Sequence, residues 1–223
     1  QTVAGVKQLT SIEGKFKGVR QGTGVGDNRY STHSRTTITT SSKIIVMAAA
    51  EIWFLRAEAA LRGFTSEDVE SCYKQGVTTS FAQWDASGVS EYLESENTPA
   101  DYVDTFDKNF DAKATTSITP KWDNAADNET KLERIITQKW LAIYPEGCEA
   151  WAEQRRTGYP KLFKVVVNNS SNAISTDDMI RRVFFNQDYI TNNKPLYDAL
   201  VSKLGGLDTG GTRLWWDTGK NNF

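Results

Sequence analysis

Apolar residues at Ile44, Met47, Ala50, Phe54, Ala57 and Leu61 recur at spacings of three and four, the period of a helix with one buried face. They predict a helix over 43–62, closed by Gly63. Thr65 with Asp68 reads as a capping pair, and Val69, Tyr73, Val77, Phe81 and Trp84 continue a second helix antiparallel to the first, making an αα-hairpin. The same period returns at Leu132, Ile135, Ile136, Trp140 and Ile143, with Asp127 or Asn128 placed to cap, Glu129 in the first turn and Pro145 as the stop. A short helix over 149–155 should follow, with Trp151 facing the core and Glu153 three residues before Arg156. A last helix over 195–204 carries Leu196, Ala199, Leu200 and Leu204 on one side and stops at Gly205-Gly206. Trp53, Trp84, Trp140 and Trp151 lie on these helical faces and are expected in the core.

Between the helices the pattern weakens. Residues 1–42 are rich in Gly, Ser and Thr, and Gly22-Thr23-Gly24-Val25-Gly26 is the most flexible piece. Residues 85–128 form a polar insertion punctuated by Tyr92, Tyr102, Phe106, Phe110 and Trp122, expected as short helices and loops, and 168–193 is expected to be irregular. The reading is therefore mainly α, in two parts: a loop-rich segment over 1–42, and a helical region over 43–223 interrupted by the insertion.

Composition narrows the function classes. With 223 residues, 39% hydrophobic, the chain can bury one sizeable core. A net charge of -2 argues against nucleic acid, whose phosphates call for a basic patch. No apolar run reaches the length of a membrane span, and Gln1 opens the sequence without the charged and apolar regions of a leader, so any targeting segment is expected to have been removed or to lie upstream. Cys72 and Cys148 read as two buried free thiols, with a single bridge as the alternative. His33 stands alone, without ligands at metal spacing or a partner for a nucleophile.

The candidate chemistry is sparse. The Gly22–Gly26 run lacks the Lys-Ser/Thr, the preceding strand and the helix of a phosphate loop. Glu51 and Glu58 lie seven residues apart on one predicted helix, about 10 Å, slightly beyond an inverting glycosidase pair. Arg62 stands four residues after Glu58, the favourable order for an ion pair, so Glu51 and Glu58 read as structural. Arg155 and Arg156 read as braces for carbonyls and carboxylates around the Gly158-Tyr159-Pro160 turn, with a ligand-carboxylate clamp as the alternative. Sugars present apolar C–H faces edged by hydroxyls and favour flat rings beside Asp, Asn, Gln or Arg. Trp122 with Asp123 and Asn124, Tyr102, and Tyr30 beside Asn28 and Arg29 have that composition and are the candidate ligand residues. Trp215 and Trp216 are assigned to the structure, one ring covering the core and the other partly open. No EF-hand spacing is present, and neither metal nor cofactor is expected.

The run Ile136-Thr137-Gln138-Lys139-Trp140, followed by Glu149-Ala150-Trp151-Ala152-Glu153-Gln154-Arg155-Arg156-Thr157-Gly158-Tyr159-Pro160, resembles the C-terminal half of the SusD/RagB family, surface lipoproteins of Bacteroidetes that capture nutrients. Ala50 to Gly63 upstream, and Gly205-Gly206-Leu207-Asp208 with Thr212-Arg213-Leu214-Trp215-Trp216-Asp217 downstream, are similar to further family motifs in the expected order. Together they span about Met47 to Asp217. Where the family carries Tyr-Pro and then Glu after paired arginines, this chain has Phe185-Asn186 and Tyr189 behind Arg181-Arg182.

The resemblance implies an irregular helical SusD-like fold with long loops and a non-enzymatic binder of oligosaccharide, or of peptide. Its implied partner is a TonB-dependent transporter of the SusC type at the outer membrane. Contact with the membrane would come only through a lipid anchor that this chain does not carry. A glycan-processing enzyme and a purely structural helical adaptor are the alternatives.

Overall fold

The computed structural model describes residues 2–3, 6–7, 16–23, 30–31, 33–34, 39–42 and 44–223. Gly24–Gly26, Asn28, Arg29 and Lys43 lie outside them. Among the described residues there are seven α-helices: α1 (Ala49–Leu61), α2 (Val69–Gln83), α3 (Val89–Leu93), α4 (Asn128–Ala142), α5 (Gly147–Thr157), α6 (Gln187–Asn192) and α7 (Lys194–Leu204). A two-residue antiparallel pair, β1 (Thr2–Val3) with β2 (Val6–Lys7), is joined by Thr2 opposite Lys7 and Val3 opposite Val6. The chain divides into two compact units, one of Gln1–Thr36, Tyr102–Ala112 and Phe163–Lys220, the other of Thr37–Asp101, Lys113–Leu162 and Asn221–Phe223.

The second unit holds the apolar core. Ala50, Phe54 and Ala57 of α1, Tyr73 and Val77 of α2, and Leu132, Ile135 and Ile136 of α4 form one buried cluster, so the hairpin packs on α4 as the periodicity predicts. Each large side chain so buried stabilises the fold by roughly 1.5–3 kcal/mol. The helices approach closely because α2 has Gly76 where the Phe54 ring lies: a Cβ there would meet the ring at 2.8 Å. Asp68 caps α2 by accepting from Ser71 N at 2.8 Å, and Asp127 caps α4 by accepting from Thr130 N at 2.7 Å. The Tyr73 hydroxyl donates to the Pro120 carbonyl at 2.6 Å, tying the insertion to α2.

Three helix limits depart from the sequence reading. α1 starts at Ala49, after an extended Ala48 whose side chain makes no cap; Ile44 and Met47, placed on its buried face, are exposed. The α2 cap is Asp68 rather than the Thr65-Asp68 pair. α6 stands within a segment expected to be irregular. Its period is too short to register in the sequence, and the Asn186 side chain starts it by accepting from Asp188 N at 2.9 Å. Trp84, expected in the core, lies just past α2 and is exposed, its ring 6.4 Å from that of Tyr144.

The first unit is bound together more by polar side chains than by an apolar core. Arg20 donates to the carbonyls of Phe110 (2.9 Å), Asp111 (3.0 Å) and Lys164 (2.6 Å), joining two other segments to its own with one guanidinium. Arg182 donates to Asp208 at 2.5 Å with both groups buried, and Asp208 also accepts from Phe185 N at 3.1 Å. Arg213 pairs with Asp217 at 2.6 Å and Asp178 at 3.1 Å, and Arg181 with Asp178 at 3.0 Å. The paired arginines and the two downstream motifs thus meet as one lattice of charges. In the segment that departs from the family pattern, Arg181 and Arg182 act as braces.

Candidate functional site

The helical unit buries a chain of ion pairs. Glu58 receives Arg156 on both oxygens, Nη1 to Oε1 at 2.7 Å and Nη2 to Oε2 at 2.6 Å, and Arg62 Nε at 2.8 Å. Arg156 continues to Glu153 at 2.7 Å. Lys139, 1% exposed, lies 3.1 Å from both Glu149 and Glu153 and 3.5 Å from Glu51. Burial raises the Glu58 carboxyl, but the guanidiniums of Arg156 and Arg62 outweigh it and hold the group below the usual carboxylate range. Burial works against the Lys139 charge, and the carboxylates of Glu153 and Glu149 overcome it, leaving the ammonium above its ordinary value. Within this network Glu51, Glu58 and Arg156 are all engaged in ion pairs. Arg155 lays its guanidinium over the Trp151 ring, 3.8 Å from the centroid, and Trp151 and Trp140 are half-buried.

The candidate ligand residues fall into two groups. Trp122 is 8% exposed and belongs to the core cluster. Its ring lies 5.1 Å from that of Tyr73, and its Nε1 donates to Asn124 at 2.9 Å. A ring so enclosed offers no face to a sugar, so the stacking role is corrected: Trp122 closes the core over α2. Its local period is too weak to reveal this, because one core residue in a loop makes no pattern. Asp123 and Asn124 are exposed, but Asp123 accepts from Ala125 N at 2.9 Å within a turn and Asn124 donates to Glu70 of α2 at 2.8 Å.

Tyr30 and Tyr102 belong to the other unit, where both hydroxyls donate to the same oxygen of Asp104, at 3.0 and 3.2 Å. Asp104 also accepts from the backbone of Phe106 (2.8 Å) and Asp107 (3.0 Å). Burial pushes its carboxyl up, and these donors bring it below the ordinary range. Both tyrosines are half-buried. The Tyr102 ring lies 6.0 Å from Phe163, with the Lys17 ammonium 4.7 Å from its centre. His33 is buried against the Gly18 carbonyl and Thr105 Oγ1, each at 3.0 Å. Asp104 is what organises the cluster. One aspartate among several in a polar insertion gives no sequence signal of that.

Of the Trp215-Trp216 pair, expected to place one ring over the core, both are exposed, Trp216 at 37% and Trp215 at 92%. Trp215 sits on a turn fixed by the Arg213–Asp217 pair and by Asp217 N donating to Leu214 O at 2.9 Å. Beside it lies a groove of about 300 Å³ lined by Phe185, Leu200, Lys203, Leu204 and Leu214. Cys148, expected buried, is exposed near the start of α5, while Cys72 is buried; both are free thiols. Among the described residues no group of His, Cys, Asp and Glu is arranged to hold a metal, and no helix is long and apolar enough to cross a membrane.

With this geometry in place, the likeness to known proteins is specific. The family model "Susd and RagB outer membrane lipoprotein" matches residues 3–217. A SusD homologue from Bacteroides vulgatus is 53% identical, with a TM-score of 0.81 over 89% of this chain and 41% of its own. A chitin-binding SusD homologue from Flavobacterium johnsoniae is 47% identical, with a TM-score of 0.77 over 81% of this chain and 38% of its own. A SusD homologue from Bacteroides thetaiotaomicron is 36% identical, with a TM-score of 0.86 over 92% and 46%. The chain thus spans less than half the length of each of these solved structures. Among curated proteins none matches. Matched by the family model over nearly its whole length and sharing the fold of these homologues, the chain belongs to the SusD/RagB family of outer-membrane lipoproteins.

Proposed function

We propose that the chain is part of a non-enzymatic nutrient-capture protein at the outer-membrane surface, which binds an oligosaccharide and delivers it to a TonB-dependent transporter of the SusC type. The observation that carries this reading is the 47% identity to a chitin-binding homologue over 81% of the chain. The charge network supports the non-enzymatic part. Glu51 and Glu58, the pair a glycosidase reading would use, are tied to Lys139 and to Arg156 with Arg62. With Trp122 in the core, the chain's share of the ligand surface falls to the half-buried rings of Tyr30 and Tyr102, which Asp104 holds in place. A fixed ring loses little freedom on stacking, so it contributes more of its contact energy to binding.

An array of soluble oligosaccharides and peptides tests the reading. Signal confined to glycans, lost on Tyr102→Ala and kept on Tyr102→Phe, is the expected result. Signal confined to peptides would replace the ligand class. Glycan signal indifferent to Tyr102→Ala would remove the tyrosines from the site.

A further inference from the structure

Glu129 stands in the first turn of α4, where the helix dipole favours negative charge, and its carboxylate is occupied by donors from elsewhere in the helical unit. Oε1 accepts from the backbone N–H of Asn222 and, at 3.3 Å, from that of Phe223. Oε2 accepts from Asn222 Nδ2 at 3.1 Å and from the Tyr159 hydroxyl at 3.0 Å. Three of these donors belong to two consecutive residues of the segment Asn221–Phe223, which forms part of this unit. A carboxylate that takes successive backbone N–H groups together with an amide side chain grips the segment by its main chain and by its sequence at once.

Asn222 is held from two other helices as well. Its Nδ2 also donates to the carbonyl of Thr157, the last residue of α5, at 3.0 Å; the two N–H donors of one amide nitrogen make the Glu129 and Thr157 contacts together. Its own carbonyl accepts from Arg62 Nη1, just past α1, at 3.1 Å. The Arg62 guanidinium lies over the Phe223 ring, 4.9 Å from its centre, while its Nε stays on Glu58 at 2.8 Å. A closed circuit of polar contacts results. α5 reaches α1 through Arg156 and Glu58, α1 reaches Asn222 through Arg62, and Asn222 reaches α4 at Glu129 and returns to α5 at Thr157.

We infer that Asn221–Phe223 is a strap that locks the adjoining ends of α1, α4 and α5, with Asn222 as the residue gripped and the Glu129 carboxylate as an acid-sensitive catch. Protonation of Glu129 removes the charge that its four donors share and turns one acceptor oxygen into a hydroxyl, which releases the strap. Burial raises this carboxyl, but the Asn222 side chain and backbone, Tyr159 and Phe223 outweigh it and hold the group below its ordinary value of 4.5. A carboxyl lowered in the locked state favours that state above 4.5 and stops doing so as pH falls through the locked value. The other charged groups around the strap have partners of their own: Arg62 is on Glu58, Lys161, over the Tyr159 ring, is on Glu133, and Asp127 caps α4. Glu58, bonded to Arg62, is lowered as well, so acid alone does not separate the two carboxyls, whereas a change of sign at Asn222 does. The strap is independent of the ligand and goes beyond the functional reading.

Hydrogen exchange of single backbone amides, followed by NMR and expressed as protection over the free-chain rate at the same pH, tests it. At about pH 7 the Asn222 and Phe223 amides of the unaltered chain should be protected roughly tenfold or more. At about pH 3.5, below the ordinary carboxyl value, that protection should be lost while the core amides of Phe54 and Ile135 keep theirs. Glu129→Ala should leave both amides unprotected at either pH. Asn222→Asp sets two carboxylates against each other, so its dependence should reverse, with protection absent near neutrality and gained as acid neutralises one of them. Asn222→Ala should lower several-fold the protection of the Gly158 amide, which closes α5 by donating to the Gln154 carbonyl at 2.8 Å. Equal protection of Asn222 and Phe223 in the unaltered chain and in Glu129→Ala would overturn the inference, as would Gly158 protection untouched by Asn222→Ala. An Asn222→Asp chain that loses protection in acid as the unaltered chain does would move the acid effect to Glu58. Loss of Ile135 protection together with that of Asn222 would replace the strap by global unfolding. Either of these last two results also overturns the inference, and because no glycan is present, none of them bears on glycan capture.

Discussion

Arg156 of α5 and Glu58 of α1 meet as a two-pronged pair across 98 residues of chain, at 2.7 and 2.6 Å. The same guanidinium reaches Glu153 on its own helix at 2.7 Å. One side chain therefore fixes where α5 lies on the hairpin. The planar fork of arginine matches both carboxylates at once, which a lysine could not do.

Arg156→Ala leaves Glu58 buried with only Arg62 beside it. The arginine side chain is 41% exposed, so solvent screens part of the loss, and a fall of about 1–3 kcal/mol is expected from the unpaired carboxylate. A double-mutant cycle with Glu58→Gln, read by urea denaturation, should give a coupling near 1 kcal/mol or more. Additive effects would show that the pair is not what joins the helices.

The depressed carboxyl of Glu58 sets the sign of an acid effect. A group whose folded value lies below its unfolded one stabilises the fold above the unfolded value, about 4.5, and loses that contribution as pH falls through the folded value. Glu129 behaves alike: burial raises it, but Asn222 and Tyr159 bring it below the ordinary range. Stability should be level between pH 6 and 8 on this account and decline below about pH 4.5, with a shallower decline in Glu58→Gln. Equal pH profiles for the two proteins would contradict it.

Gly76→Ala sets helix propensity against packing. In an open helix the change would add about 1 kcal/mol of stability. Here the new Cβ would meet the Phe54 ring at 2.8 Å, and that ring is enclosed in the core. Overpacking of this kind costs roughly 1–3 kcal/mol. Thermal unfolding should show a lower Tm, and a raised one would mean that the helices shift apart at little cost.

Trp122→Ala should remove a core ring rather than a binding platform. A loss of about 3–5 kcal/mol is expected from the buried indole and the cavity it leaves. Glycan affinity of the fraction still folded should be unchanged, a comparison that calorimetry after removal of unfolded protein can make.

The helices were legible because their apolar residues carry a period that survives without context: α2, α4, α5 and α7 begin and end within a few residues of where spacing and caps place them. α4 also held a signal in plain view. Lys139 occupies the position after Leu132, Ile135 and Ile136 where the period calls for an apolar side chain, and it is there that the buried charges converge. What could not be read depends on partners distant in sequence. Trp122 and Tyr102 have the same polar neighbourhood, yet one closes a core and the other hangs from Asp104. Trp215 and Trp216 stand side by side, and nothing in their spacing shows that both rings are exposed.

Calorimetric titration of the chain with the oligosaccharide that gives the strongest array signal tests the central claim most directly. Binding without turnover predicts a saturable isotherm whose heat returns to baseline after each injection. Tyr102→Phe, which keeps the ring but loses its bond to Asp104, should bind slightly more weakly than the unaltered chain, and Tyr102→Ala should be weaker by roughly five- to thirty-fold, the worth of about 1–2 kcal/mol of stacking. A heat signal that persists at a constant rate after saturation would reveal catalysis and contradict the account, as would the absence of any saturable heat.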